Sequence, residues 1–182
     1  MALSDSFASS IGWNFDNSYR ALPSEAFSPA TPQKVPAPEL VIFNPALAEE
    51  MGLHFEQTAT EKIALLFSGN KIPHGAEPIA QAYAGHQFWG FNMLGDGRAI
   101  LLGEHVAQNA KRWDIQLKGA GRTPYSRRGD GKAALGPMLR EYLMSEAMKA
   151  LGIPTTRSLA VIRTGERIER ATTLSGVASL DA

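Results

Sequence analysis

The sequence predicts an α+β fold with an antiparallel sheet, one long packed helix and an extended amino-terminal arm, and three observations carry that expectation. Two short runs of β-favouring residues, Arg98 to Val106 and Arg112 to Lys118, are separated by a polar stretch around Gln108 and Asn109, the pattern of two antiparallel neighbours. The stretch from Gly136 to Gly152 carries Pro137 at its start and a glycine at its end, which are start and stop marks of a helix. The first forty residues hold Pro23, Pro29, Pro32, Pro36 and Pro38 and few periodic apolar positions, which reads as an arm rather than a packed unit. At 182 residues and 44% hydrophobic composition the chain is long enough for one domain with a real core and too short for two large ones. The expected division is an arm over 1–40 and a folded unit over 41–182.

Taken in order, the composition shifts at Glu39-Leu-Val-Ile-Phe43. Asn44-Pro-Ala-Leu-Ala-Glu-Glu-Met-Gly52 has an Asn cap, a proline in the first helical position and a glycine stop, and predicts a short helix. A second short helix is expected from Thr60 to Ser68. The stretch from Ile79 to Phe91, rich in glycine and aromatics, fits neither period and is expected to be an irregular loop. In Trp113-Asp-Ile-Gln-Leu-Lys118 the alternation is strict, so Trp113, Ile115 and Leu117 should share the core face, with Asp114, Gln116 and Lys118 on the other. The helix that follows is apolar around most of its circumference, leaving Glu141, Ser145 and Lys149 as a narrow polar stripe, so it should be largely packed. Ser158 to Arg163 and Glu166 to Arg170 flank Thr164-Gly165, a candidate hairpin. From Ala171 to Ala182 no helix cap or strand is evident.

Composition excludes several chemistries. Lys+Arg and Asp+Glu both number 18, so no global field marks a nucleic-acid or membrane binder and any basic site must be local. The chain has no cysteine, which removes disulfides, thiolate metal sites and a cysteine nucleophile. The histidines at 54, 74, 86 and 105 lack the spacing of a metal cluster, so no metal site is expected. No apolar run approaches a membrane span and no targeting segment is evident in the first twenty residues, so the expected location is cytoplasmic.

The residues that suggest chemistry lie between positions 94 and 141. Gly95-Asp-Gly97 is a turn that lets backbone approach polyanion oxygens, and Arg98 adds a charged fork suited to phosphate. Lys118 is the point charge one would place over phosphates, and Glu141 is a helix carboxylate that could pair with it. Asp130 and Gly131 close a second glycine turn. Each feature has a plainer reading: a hairpin turn with a surface arginine, a solvated strand lysine, a solvated polar stripe. Their order, however, is restrictive: turn, strand, strand with lysine, basic glycine turn, helix with glutamate. Between Lys111 and Lys132 lie seven of the 18 basic residues, Lys111, Arg112, Lys118, Arg122, Arg127, Arg128 and Lys132, against only Asp114 and Asp130. The patch suits either a nucleotide or RNA stacked on Trp113, Tyr125 or Phe88. The glycines at 119, 121, 129 and 131 favour a compact phosphate group over a long strand. Three readings stay open: a nucleotide-using enzyme, a non-catalytic module that binds a nucleotide or a partner, and an RNA-binding patch.

At Gly85-His-Gln-Phe88, Leu94-Gly-Asp-Gly-Arg-Ala99, Gln116-Leu-Lys-Gly-Ala-Gly-Arg-Thr-Pro-Tyr-Ser-Arg-Arg-Gly-Asp-Gly131 and Leu139-Arg-Glu-Tyr-Leu143, the chain resembles the selenoprotein O family of protein adenylyltransferases. Asn17-Ser-Tyr-Arg-Ala-Leu-Pro23, Asn44-Pro-Ala-Leu-Ala48 and Gly152-Ile-Pro-Thr-Thr-Arg-Ser-Leu159 are similar to flanking parts of the same family. The resemblance implies a protein-kinase-like fold, of which residues 41–182 would be the small amino-terminal lobe. It implies ATP bound in a flipped orientation and AMP transferred to Ser, Thr or Tyr hydroxyls of protein substrates. By motif, Gly95, Gly97 and Arg98 would contact the nucleotide, Lys118 and Glu141 would be the positioning ion pair, and Asp130 with Gly131 would lie on the phosphate side.

The chain departs from the family after position 170. Members continue through a Gly-Ala-Val-Leu-x-Arg-Val-Ala pattern whose arginine helps bind the phosphates, where this chain has Ser175-Gly-Val-Ala-Ser-Leu-Asp-Ala182 and no arginine after Arg170. The family's large lobe, with its catalytic aspartate and its Mg²⁺-binding asparagine and aspartate, has no counterpart in these residues. Charge neutralisation by such an ion is worth several kcal/mol, so the chain by itself is expected to be inactive or nearly so, and to expose an apolar patch where the large lobe would sit.

Overall fold

The computed structural model describes residues 11–87, 89–168 and 180–181. It is an α+β arrangement in which every strand pairing is antiparallel. The main sheet has four strands in the order β1-β3-β6-β7, formed by β1 (Phe27–Pro29), β3 (Ile79–Gln81), β6 (Ala99–Val106) and β7 (Arg112–Lys118). The β6–β7 hairpin follows the sequence expectation closely. Its register sets Ala99 opposite Lys118 and Val106 opposite Arg112, with one irregularity between Leu101 and Gly103. The alternation along β7 also holds: Ile115 and Leu117 are buried and Trp113 packs on the core, while Gln116 and Lys118 face outward.

The core lies on the Ile115 and Leu117 side of this sheet. It gathers Leu47, Met51, Leu53, Phe55, Ile63 and Leu66 from two short helices and the segment between them. The first helix, α1 (Pro45–Glu50), is capped as its sequence predicts, with the Asn44 side chain accepting from the Leu47 N–H at 3.1 Å and Pro45 in the first turn. The second, α2 (Thr60–Phe67), buries Ile63, Ala64 and Leu66 and packs on β2 (Glu39–Phe43).

Four expectations are corrected. The first forty residues are not a separate arm: Ile11 is fully buried in the core, Phe15 bridges to His105 on β6, and β1 is an edge strand of the main sheet. Apolar side chains ahead of the first proline, Ile11, Trp13 and Phe15, supply the burial, and pairing with β3 satisfies backbone groups of β1. The Ile79 to Phe91 stretch is not irregular: it supplies β3 and much of a hairpin of β4 (Ala84–Gln87) and β5 (Gly90–Met93). Its glycines mask the period-two pattern. The Thr164-Gly165 hairpin does not form among the described residues. Instead β8 (Ala160–Arg163) pairs with β2, and β9 (Arg167–Ile168) pairs with β10 (Leu180–Asp181). The rest of the expected second hairpin strand, 169–170, lies outside the described residues, as does Phe88.

The fourth correction concerns the long helix, α3 (Leu135–Ala150). It begins one residue earlier than expected, so Pro137 sits within the first turn. It is also not largely packed. Of the polar stripe only Ser145 is buried, bonded to Ser158 at 3.2 Å and to the Tyr142 carbonyl at 3.0 Å, while Glu141 and Lys149 are exposed. Leu143 and Met144 are 65% and 56% exposed, and Leu151 just beyond the helix 73%. Hydrogen bonds and ion pairs to the segment just before β8, from Ser158 and Arg157, thus tie the helix down, and Leu143 and Met144 are left outside.

An ion-pair chain fixes the far end of α3. The Arg157 guanidinium donates to Glu146 at 2.6 and 2.7 Å and to Glu50 of α1 at 3.2 Å, and Glu50 also receives Lys111 at 2.9 Å. Only 12% of the Arg157 side chain is exposed. Its hydrogen bonds hold the Glu146 carboxyl below the usual carboxylate range, and the bond from Lys111 does the same for Glu50.

Candidate nucleotide site

Lys118 ends β7 on the face opposite the core, and α3 returns across that face after a loop. The sequence separation of 23 residues is closed by an ion pair: the Lys118 Nζ donates to both Glu141 oxygens at 2.7 Å. The side chains are 40% and 46% exposed, so the pair is open to solvent and to a ligand.

The Gly95-Asp-Gly97 turn lies beside the same end of the hairpin. Gly95 adopts φ +59, and a Cβ there would fall 2.6 Å from the Tyr125 ring, so only glycine lets the turn sit against that tyrosine. The turn's own N–H groups are taken within the protein: Gly95 donates to the Tyr83 carbonyl, Asp96 to Gln81 and Gly97 to Gly95, at 2.9 to 3.0 Å. Its cationic contribution therefore rests on Arg98, which is exposed and has no ion pair among the described residues. Asp96 points inward. It is 4% exposed and accepts from the Gln81 N–H at 3.0 Å and from Gln116 at 3.3 Å. Burial pushes its carboxyl above the ordinary aspartate value, against the pull of those bonds and of one with Tyr83.

The second glycine segment folds back on itself. Gly121 donates to the Gly131 carbonyl at 3.2 Å, and a Cβ on Gly131, at φ +72, would lie 2.0 Å from the Gly121 oxygen, so these two strands of loop touch backbone to backbone. Asp130 turns its carboxylate onto the Lys132 N–H at 2.9 Å. Arg122 donates to the Arg127 carbonyl, and Lys132 is ion-paired with Glu166. The structure therefore brings Lys118 to Glu141, the first glycine turn to Tyr125 of the second segment, and Gly131 to Gly121.

Residues that sequence reasoning missed are Asp96, Thr123, Ser126 and Arg157, and Tyr125, read as a possible stacking partner, instead backs the first glycine turn. Thr123-Pro-Tyr-Ser126 carried a readable signal, since Thr and Ser around a proline favour side-chain-capped turns. Arg157 carried none, because its partners depend on where the chain returns after α3. Among the described residues no group of three or more His, Asp or Glu side chains is placed to hold a metal. His105 is buried with both nitrogens engaged, Nδ1 accepting from the Asn14 N–H at 3.1 Å and Nε2 donating to the Met51 carbonyl at 2.9 Å. It lines a cleft of about 550 Å³ with His54 and Gln108, at the end of β6 remote from Lys118. No helix among the described residues is long and apolar enough to cross a membrane.

Comparison with known proteins bears on this geometry. The family model described as "Protein adenylyltransferase SelO" matches residues 10–179. The chain belongs to this family. Similar relatives are the protein nucleotidyltransferases YdiU of Anoxybacillus flavithermus, 65% identical over 164 residues, and of Nitrosococcus oceani, 62% identical over 166. The first alignment covers 90% of this chain and the second 91%, each against 34% of the relative. The YdiU protein of Syntrophotalea carbinolica is 57% identical over 176 residues, 97% of this chain and 36% of the relative. The chain thus spans about a third of the length of the curated relatives it matches.

Proposed function

We propose that the chain is the amino-terminal, nucleotide-binding portion of an ATP-dependent protein adenylyltransferase that transfers AMP to Ser, Thr or Tyr hydroxyls of proteins. The observation that carries this reading is the bidentate approach of Lys118 to Glu141 at 2.7 Å, with Arg98, which has no ion pair among the described residues, on the neighbouring strand end. A lysine held by one carboxylate on a strand end, near an exposed arginine, suits the oxygens of a polyphosphate. Nucleotidyl transfer depends on positioning the phosphates and neutralising their charge more than on covalent help from the protein, and these are the services such residues supply. Membership of a family of protein adenylyltransferases supplies the reaction class.

Among the described residues no group of three or more carboxylates or histidines is placed to hold Mg²⁺, and no step of this reading runs through the ion. The proposed partners are ATP and hydroxyl-bearing protein substrates, and the chain alone should transfer AMP at a negligible rate. Titrating the chain with ATP tests the binding half. ATP should bind with measurable heat, and Lys118→Ala should weaken it by about tenfold or more, the scale of a charge-assisted hydrogen bond. Equal affinity in the variant would remove Lys118 from the site.

A further inference from the structure

The two glycine segments are joined by a pair of buried hydroxyls that fix the backbone on one side of Arg98. Thr123 and Ser126 are each 9% exposed. The Thr123 hydroxyl donates to the Asp96 carbonyl at 2.5 Å and accepts from the Tyr125 N–H at 3.1 Å. The Ser126 hydroxyl donates to the Gly97 carbonyl at 2.5 Å and accepts from the Thr123 N–H at 2.7 Å. Each hydroxyl spends its one proton on the first glycine turn and is itself oriented by the Thr-Pro-Tyr-Ser turn. On the other side, the Arg98 carbonyl accepts from the Gly119 N–H at 2.7 Å. Arg98 is therefore bracketed: the peptide before it is held by Ser126, the peptide after it by Gly119, and both holders belong to the loop that follows Lys118. The next residue along β6, Ala99, lies opposite Lys118, so the Arg98 backbone sits beside the lysine's strand end.

We propose that Thr123 and Ser126 are positioning residues, whose hydroxyls aim the Arg98 guanidinium at the same polyphosphate that Lys118 meets. The proposal rests on the nucleotide reading of this site. It explains why the turn's N–H groups are spent internally. The turn is a rigid mount for one arginine, and the cation it presents is the contact that matters for an anionic ligand. It also makes the 119–131 loop part of the site, because the loop acts on Arg98 through the Asp96 and Gly97 carbonyls.

The test uses the whole chain with Thr123→Val, Thr123→Ser and Ser126→Ala, read by amide hydrogen exchange and by ATP and adenosine titration. Thr123→Val and Ser126→Ala should raise exchange at residues 95–98 at least tenfold and weaken ATP about tenfold, leaving adenosine affinity unchanged. Thr123→Ser, which keeps the hydroxyl, should restore both. In an Arg98→Ala background Thr123→Val should change ATP affinity less than twofold, because residues acting through one contact are not additive. Ile63→Val in α2, a general destabilisation, should change neither readout. Unchanged exchange at 95–98 in Thr123→Val overturns the mount. Faster exchange with unchanged ATP affinity overturns its role in binding, as does a full tenfold loss in the Arg98→Ala background. If the unaltered chain binds no ATP and Lys118→Ala matches it, the nucleotide reading itself has failed. That outcome is told apart by the exchange data, which report the mount whether or not a ligand binds.

Discussion

Removing charge from the Lys118–Glu141 pair should separate stability from ligand binding. Two unit charges 2.7 Å apart attract by about 1.5 kcal/mol in a water-like dielectric. Side-chain ordering and salt screening reduce this, and exposed pairs contribute about 0–1 kcal/mol in practice. With side chains 40% and 46% exposed, this pair belongs in that class. Lys118→Met and Glu141→Gln should therefore each cost at most about 1 kcal/mol, a shift of roughly 2–4 °C in Tm for a chain of this size. Binding should behave differently. A lysine donating to phosphate contributes about 1.5–3 kcal/mol, so Lys118→Met should raise the Kd for ATP by roughly 10- to 100-fold. Glu141→Gln leaves the cation in place but no longer aimed, and should weaken ATP by a few-fold. The assay is thermal unfolding beside calorimetric titration at one ionic strength, with the double variant closing the cycle. A fall in Tm well beyond this range with unchanged ATP affinity would refute the reasoning, because the pair would then be a structural strut.

Three further outcomes follow from the packing. Ile11→Ala should cost about 2–5 kcal/mol in chemical denaturation, since Ile11 is fully buried; a cost under about 0.5 kcal/mol would return the first residues to the status of a loose arm. Arg157→Ala leaves the Glu146 carboxylate without its guanidinium and Glu50 with Lys111 alone, and should cost about 2 kcal/mol, between the surface and buried limits. Arg157→Lys should recover less than half of it, because a lysine cannot reproduce the fork. Asp96 is raised by burial above the ordinary 3.8, so the folded state holds its proton more tightly than the unfolded state does. Its contribution to stability therefore falls as pH rises from about the unfolded value through the raised folded one, and the cost stays constant above that. Asp96→Asn should flatten that part of the stability–pH profile measured by denaturation, and an unaltered slope would contradict the assignment.

How much of this was legible in the sequence depends on the range of the interactions. The β6–β7 hairpin and the α1 cap were readable because alternation and Asn44-Pro45 act over a few residues. Lys118 was readable as a candidate because it ends a strand whose faces alternate, and Glu141 because it stands on the polar stripe of the helix that follows. The α3 packing was misread because the 3.6 period says which residues share a face but not which face is buried. Here Ser145 and Glu146 find partners in Ser158 and Arg157, and the apolar face of Leu143 and Met144 is left outside. The role of residues 11–40 was hidden because the prolines from Pro23 onward dominated the reading, while the short alternation of Ile11, Trp13 and Phe15 ahead of them packs on the core. The β2–β8 pairing joins Glu39–Phe43 to Ala160–Arg163, a separation over which no local pattern carries information.

The central claim concerns which phosphate of ATP the site presents for attack. The direct measurement takes the polypeptide carrying this sequence as its source cells make it, supplies Mg²⁺ with ATP labelled at either the α- or the γ-phosphate, and follows label into protein. Label from the α-phosphate, lost in Lys118→Ala, is the predicted result. Label arriving only from the γ-phosphate, or α-label unaffected by Lys118→Ala, would contradict it.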